Sequence, residues 1–208
     1  MIELFAITDD SAPELPEVAP LTAVATHGLA VVCAPAEDVE VTPEVLWRHE
    51  RVVEALMDDR DLLPVRFGTR LQDEDAAARA LAERHGEFTR ALDRVRGAVE
   101  VSVRVLGDQP RPRPSDSLSG ADYLRAKARS AAAEDAVSRK VHSPLASRAR
   151  ASAKLPAPDP AELLRAAYLV DRTSVASFVQ CVHELEEANP ELRLLCTGPW
   201  PPYSFSAP

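Results

Sequence analysis

His49 opens the stretch "HERVV". It begins like a zinc-protease helix, in which two histidines four residues apart hold the metal and the glutamate between them serves as base. Position 53 is Val53, so the second ligand is missing, and "HELEE" at His183 fails in the same way at Glu187. Phosphate chemistry finds no loop: neither GxxxxGK[ST] nor GxGxxG occurs, and seven glycines leave little material for one. No GxSxG elbow exposes a serine nucleophile. Cys33, Cys181 and Cys196 lie far apart in apolar surroundings without CxxC spacing, and read as buried, reduced thiols of a cytosolic protein. His49 falls on the apolar stripe of its helix and reads as a core histidine rather than a base. The pairs Asp58-Asp59 and Glu186-Glu187 stand at helix ends and read as solvated surface. No catalytic residue, metal ligand or cofactor is expected.

What remains is chemistry that could hold a partner. In "LLPVRFG" one charge, Arg66, sits among apolar neighbours and beside Phe67. Such an arginine either anchors a partner or an internal carboxylate, or lays its stem along an edge strand with its head in water. The second candidate is the closing "CTGPWPPYSF". Three prolines and three aromatics fall between Gly198 and Phe205. Prolines lack the amide proton, so this segment can form neither a helix nor a sheet interior, and it is expected to be extended and polyproline-like. Trp200, Tyr203 and Phe205 are rigid contact groups. They either seal their own domain, a role that suits Trp200 directly after the last strand, or offer a partly exposed patch to an apolar partner. Phe205 is the better candidate for exposure.

The net charge of −9 argues against general nucleic-acid affinity. The charge is uneven: Arg111 to Lys154 carries ten Lys/Arg against four Asp/Glu. That basic middle either docks an acidic partner or is a solvated helix face. "VRFGTR" only faintly echoes an RNA-binding strand. An RNA-binding or regulatory module, and a small-molecule enzyme on the same scaffold, remain the alternative readings. No apolar run reaches the ~18 residues of a membrane span. "MIELFAITDD" lacks the basic start and cleavage-like small residues of a secretory leader and reads as a strand.

The elements that must position these residues follow from periodicity. "IELFAI" (2–7) and "HGLAVVCA" (27–34) read as buried strands. Thr42-Pro43 is a helix start, and Val45, Leu46, His49, Val52, Val53, Leu56 and Met57 form an apolar stripe over 43–58. Asp61–Thr69 should be extended, because Pro64 cannot continue that helix. Helices are expected over 73–84 and again from about Phe88, with Gly97 as the stop. "AVEVSVRVL" alternates, with Val99, Val101, Val103 and Val105 on one face and Glu100, Ser102 and Arg104 on the other. A proline-rich connection (107–118), a helix capped at Ser119 (119–141), an uncertain segment (145–160), a strand (166–171), a helix (about 173–188) and a strand (192–196) complete the chain.

If the uncertain segment supplies an edge strand, the second half runs βαββαβ. The fold class is therefore α+β with two domains. Residues 1–96 form an N-terminal α+β domain. Residues 97–208 form a C-terminal domain carrying the tail, a modified ferredoxin-like (split βαβ) sheet with helices on one face.

Five segments in register, "LLPVRFGT" (62–69), "VEVSVRV" (99–105), "DYLRAK" (122–127), "AAYLVDR" (166–172) and "TGPWPPYSF" (197–205), resemble the gas vesicle protein family GvpL/GvpF. The resemblance extends from about residue 2 to residue 205. It implies an accessory or minor protein needed to form gas vesicles, the gas-filled protein shells that give cells buoyancy. It also implies two α+β domains with a modified ferredoxin-like second one, no enzymatic activity and no cofactor. The implied partners are the small hydrophobic shell protein GvpA and other gas vesicle accessory proteins, and the implied location is the gas vesicle and cytoplasm. A gas-facing subunit exposes apolar surface before it polymerises and would aggregate alone. Arg66, Phe67, Trp200, Tyr203 and Phe205 are the residues expected to hold it.

Overall fold

A computed structural model describes residues 1–11, 14–36, 40–107, 124, 125, 128, 132, 134–157, 159 and 161–206. The connection 108–118 and the cap at Ser119 and Asp122 lie outside these residues, as do eleven of the 23 residues of the helix expected over 119–141.

The chain divides into two units, Met1–Val99 together with Trp200–Pro208, and Glu100–Pro199. From Trp200 onward the tail therefore falls in the first unit, whereas the chain order suggested the second. The anchoring bonds described below are the physical reason.

The first unit is built on an antiparallel sheet ordered β2–β3–β1–β4, with β5 also pairing β1. Its strands are β1 (Ile2–Asp9), β2 (Thr22–Thr26), β3 (Leu29–Pro35), β4 (Leu62–Pro64) and β5 (Arg70–Leu71). The central strands are buried on both faces, which is why "IELFAI" and "LAVVCA" read as continuous apolar runs. β2 carries no such run and escapes periodicity. Its partner is fixed by the two-residue turn His27-Gly28, whose φ angles of 52° and 88° match the twist of a tight hairpin. Three helices cover this sheet: α1 (Pro43–Met57), α2 (Glu74–Glu83) and α3 (His85–Val95). The stripe His49, Val52, Val53, Leu56 and Met57 is the buried face of α1. The Asp73 carboxylate accepts the Ala76 amide proton at 2.8 Å and so starts α2. Gly97, at φ 68°, ends the run after α3 in a conformation few other residues adopt.

The second unit contains a sheet ordered β7–β8–β6–β9. Its strands are β6 (Ala98–Gly107), β7 (Ala151–Lys154), β8 (Glu162–Asp171) and β9 (Leu192–Trp200). β7 is antiparallel to β8 and supplies the edge strand that the uncertain segment 145–160 left open. A π-helical turn, Ser138–His142, leads into α4 (Ser143–Ala146). A 3-10 turn, Arg172–Ser174, leads into α5 (Val175–Glu187). Val101, Val103 and Val105 share one core with Val141, Leu145, Tyr168, Phe178, Val182 and Leu194. Glu100, expected on the open face of β6, is buried.

β8 begins four residues before the expected Ala166 because Glu162, fully buried, is held there. Arg104 Nε donates to its Oε1 at 2.7 Å, and Arg165 Nε and Nη2 donate at 2.9 and 2.8 Å. A buried carboxylate needs such compensation. Burial alone would push the Glu162 carboxyl up, but the hydrogen bonds from Arg165 and Arg104 outweigh it and hold the group below the ordinary range. β9 outruns its expected end at Cys196 to include Pro199.

Candidate functional site

α1 brings together two of the segments singled out in the sequence. Phe67 packs against His49, and Tyr203 bonds to Glu50, the next residue.

The His49 side begins in β1. The register of β1 on β3 shifts between Leu4 and Ala6, leaving Phe5 as an extra residue. On the opposite edge of β1, the loop from Val65 to Thr69 bridges β4 and β5. The Val65 amide donates to the Phe5 carbonyl at 2.8 Å, and the Leu4 amide donates to the Thr69 carbonyl at 3.0 Å. Phe5 stacks on the His49 imidazole with centroids 4.9 Å apart, and Phe67 meets the same ring edge-on at 5.5 Å. His49 Nδ1 lies 3.1 Å from Glu3 Oε1, and Nε2 lies 3.0 Å from the Val65 carbonyl oxygen. Both ring nitrogens thus face acceptors. At 1% exposure and with both nitrogens engaged, His49 is a structural tie between α1, β1 and the 65–69 loop. The sequence placed it in the core but gave no sign of Glu3, whose partner is 46 residues away.

Of Asp61–Thr69, expected to be extended, Leu62–Pro64 is extended as β4, whereas residues 65–69 form a turn. The Thr69 hydroxyl and amide both donate to the Arg66 carbonyl, at 2.7 and 3.2 Å, and Gly68 takes φ 78°. Phe67 is consequently half-buried, with its ring inward, and Arg66 is exposed.

The tail also turns. The amides of Tyr203 and Phe205 donate to the carbonyls of Pro201 and Pro202, at 2.8 and 3.0 Å. The expected polyproline form gives way because the non-proline residues keep their donors, and the proline carbonyls accept them. The Tyr203 hydroxyl donates to Glu50, and Arg94 of α3 donates through Nε and Nη2 to the Phe205 carbonyl at 3.2 and 2.8 Å. Burial first, then the charge and hydrogen bond of Glu50, push the Tyr203 phenol well above its ordinary pKa.

Exposure in the tail is the reverse of the sequence expectation. Phe205 is buried at 8%, together with Pro201 and Pro202, whereas Trp200 is 41% exposed. The Arg94 clamp on the Phe205 carbonyl explains the inversion. α1 adds two exposed apolar residues that the sequence reading missed as surface groups: Leu46 at 41% and Trp47 at 67%. Leu46 was placed on the buried stripe. The signal for Trp47 was its position off that stripe. Among the described residues, no group of three or more His, Cys, Asp or Glu is placed to hold a metal ion, and no helix is long and apolar enough to cross a membrane.

A family model described as gas vesicle synthesis protein GvpL/GvpF matches residues 4–207. Gas vesicle protein L of Streptomyces sp. (strain CB03234) is 33% identical over 192 residues, which is 82% of this chain and 71% of that protein. Gas vesicle protein F of the same strain is 28% identical over 232 residues, covering 97% and 98%. Among solved structures, GvpF from Anabaena sp. PCC7120 superposes with a TM-score of 0.84 at 19% identity, over 100% of this chain and 96% of that one. GvpF from Microcystis aeruginosa gives 0.76 at 17% identity, over 100% and 99%. At those identities the solved structures establish the fold. The match across nearly the whole chain establishes the family, and this protein belongs to the GvpL/GvpF family of gas vesicle synthesis proteins.

Proposed function

We propose that this chain is a non-enzymatic accessory protein of gas vesicle assembly that binds the hydrophobic shell protein GvpA during nucleation or growth of the shell, in company with other accessory proteins, in the cytoplasm and at the vesicle. The observation that carries the reading is the contrast within the tail. Pro201, Pro202 and Phe205 are buried and Tyr203 is anchored to Glu50, yet Trp200 is 41% exposed. An apolar group left partly in water beside a rigid anchor is suited to a partner. Arg66 and Trp200 are then the contact residues, with Phe67 holding the 65–69 loop against His49 and Tyr203 and Phe205 holding the tail in place. The order β7–β8–β6–β9 supports a modified ferredoxin-like plan for the second unit.

The test is co-expression with GvpA and affinity purification from the native chain and from Arg66→Ala/Trp200→Ala. Stoichiometric recovery of GvpA by the native chain, reduced at least tenfold in the variant with an unchanged circular dichroism spectrum, supports the reading. Equal recovery by both removes these residues from the contact. If the native chain recovers no GvpA, direct binding is excluded.

A further inference from the structure

β2 is the outer strand of the first unit's sheet, with β3 on one side and, among the described residues, no strand on the other. The two-residue turn that follows fixes which of its backbone groups point outward. Thr26 and Leu29 close that turn as a hydrogen-bonded pair, and bonded and non-bonded pairs then alternate along the register Ala25–Ala30, Val24–Val31, Ala23–Val32 and Thr22–Cys33. Thr22, Val24 and Thr26 therefore bond to β3, while the amides and carbonyls of Ala23 and Ala25 point away from it. Among the described residues no group bonds to these outward amides and carbonyls. Both alanines are exposed, and their methyl groups screen little of the backbone. The usual protections of a sheet edge are missing, since the strand holds no charge, no proline and no bulge. Pro20 on one side and the His27-Gly28 turn on the other confine the open stretch to these five residues.

The sequence of that stretch says what fits it. Thr22-Ala23-Val24-Ala25-Thr26 reads the same in both directions. We infer that two copies of this chain associate by antiparallel pairing of β2 with β2, about a two-fold axis at Val24. In that register every residue meets its own kind: Val24 lies opposite the other copy's Val24, Ala23 opposite Ala25, and Thr22 opposite Thr26. Ala23 and Ala25 form the hydrogen-bonded pairs, where the outward donors and acceptors stand. Val24 and the threonines form the non-bonded pairs, whose side chains come closest. A shift by one residue sets outward groups against groups already committed to β3, and a shift by two sets one alanine against Leu21 or His27, outside the strand. A two-fold interface must be self-complementary, and an uncharged palindromic strand is so without bringing like charges together. The interface is small, so the association is weak and concentration-dependent.

The experiment follows the full chain by sedimentation velocity from micromolar to near-millimolar concentration, with amide exchange read at Ala23 and Ala25. Two charge variants, Ala23→Lys/Ala25→Lys and Ala23→Glu/Ala25→Glu, alter exposed positions and keep every backbone donor. The native chain is expected to form a concentration-dependent dimer in which both amides exchange at least tenfold more slowly. Each charge variant should self-associate at least tenfold more weakly, and mixing the two should restore the dimer, because lysines then face glutamates. Circular dichroism checks that each variant remains folded. A native chain that stays monomeric throughout, or that dimerises with unchanged exchange at both alanines, overturns the inference. So does native-like dimerisation of both folded variants, or a mixture that associates no better than either variant alone. Exchange that slows only when GvpA is added assigns the edge to a different strand and overturns the self-pairing. If a variant fails to fold, the concentration dependence of exchange in the native chain decides the question.

Discussion

The Tyr203 hydroxyl lies 3.2 Å from one oxygen of the Glu50 carboxylate and 3.3 Å from the other, across 153 residues of chain. It ties the tail to the helix that also carries His49. Because burial and then Glu50 raise the phenol's pKa, this bond contributes its full stabilisation below the ordinary tyrosine value of about 10 and loses it as pH rises through the higher folded value. Tail docking should therefore be constant through neutral pH and weaken above about pH 10. Trp200 fluorescence, isolated in a Trp47→Phe background, reads this directly. Tyr203→Phe should cost about 1–2 kcal/mol and remove this component of the alkaline transition. A transition of unchanged midpoint and amplitude in Tyr203→Phe would show that another group controls docking.

Phe205 and Trp200 should separate by stability. Phe205 is buried, and Phe205→Ala should cost about 3–5 kcal/mol by chemical denaturation. Trp200→Ala, at a partly exposed position, should cost about 1 kcal/mol or less. Equal costs would contradict the observed burial.

Glu162 is the acid-sensitive point of the second unit. Its carboxyl is held below the ordinary range, so its stabilisation is complete above an unfolded value of about 4.3 and is lost as pH falls through the lower folded value. His142 adds to the same trend. Its Nδ1 lies 2.9 Å from the buried Tyr168 hydroxyl, and burial, then Lys154, lower its pKa, so stability also falls below about pH 6.5. Glu162→Gln should cost about 1–3 kcal/mol at neutral pH and flatten the acid limb of the stability profile. A variant with native stability at pH 7 would show that the two arginines do not depend on this charge.

The Glu3–His49 pair should be strongly coupled. His49→Leu alone strands a buried carboxylate and should cost about 3–5 kcal/mol. Glu3→Gln/His49→Leu should be less destabilised than the sum of the single variants, with an interaction energy of about 1–3 kcal/mol in a double-mutant cycle. Strict additivity would mean that the pair is held by packing against Phe5 and Phe67 alone.

Much of the scaffold was legible because local rules and tertiary demand agree there. The α1 stripe, the alternating valines of β6, the Asp73 start of α2 and the stop at Gly97 each satisfy a short-range requirement within a few residues. β2 was not legible, because its short, half-exposed run of threonine and alanine gains its place from β3 through the His27-Gly28 turn. The candidate site was legible in its residue types and not in its arrangement. The sequence marked Phe67 and the tail aromatics as contact groups, but it ranked Phe205 as the exposed one.

By itself the sequence determined that the chain is α+β, that its catalytic and metal motifs are broken, and that its tail can enter neither a helix nor a sheet interior. Each follows from residue type, spacing or a missing proline amide proton. The tertiary structure decided where the tail goes, which aromatic remains in water, and that Glu3 and Glu162 are buried with partners 46 and 58 residues away. These outcomes depend on pairings between distant segments, whose geometry exists only once β1, α1 and α3, or β6 and β8, are already in place.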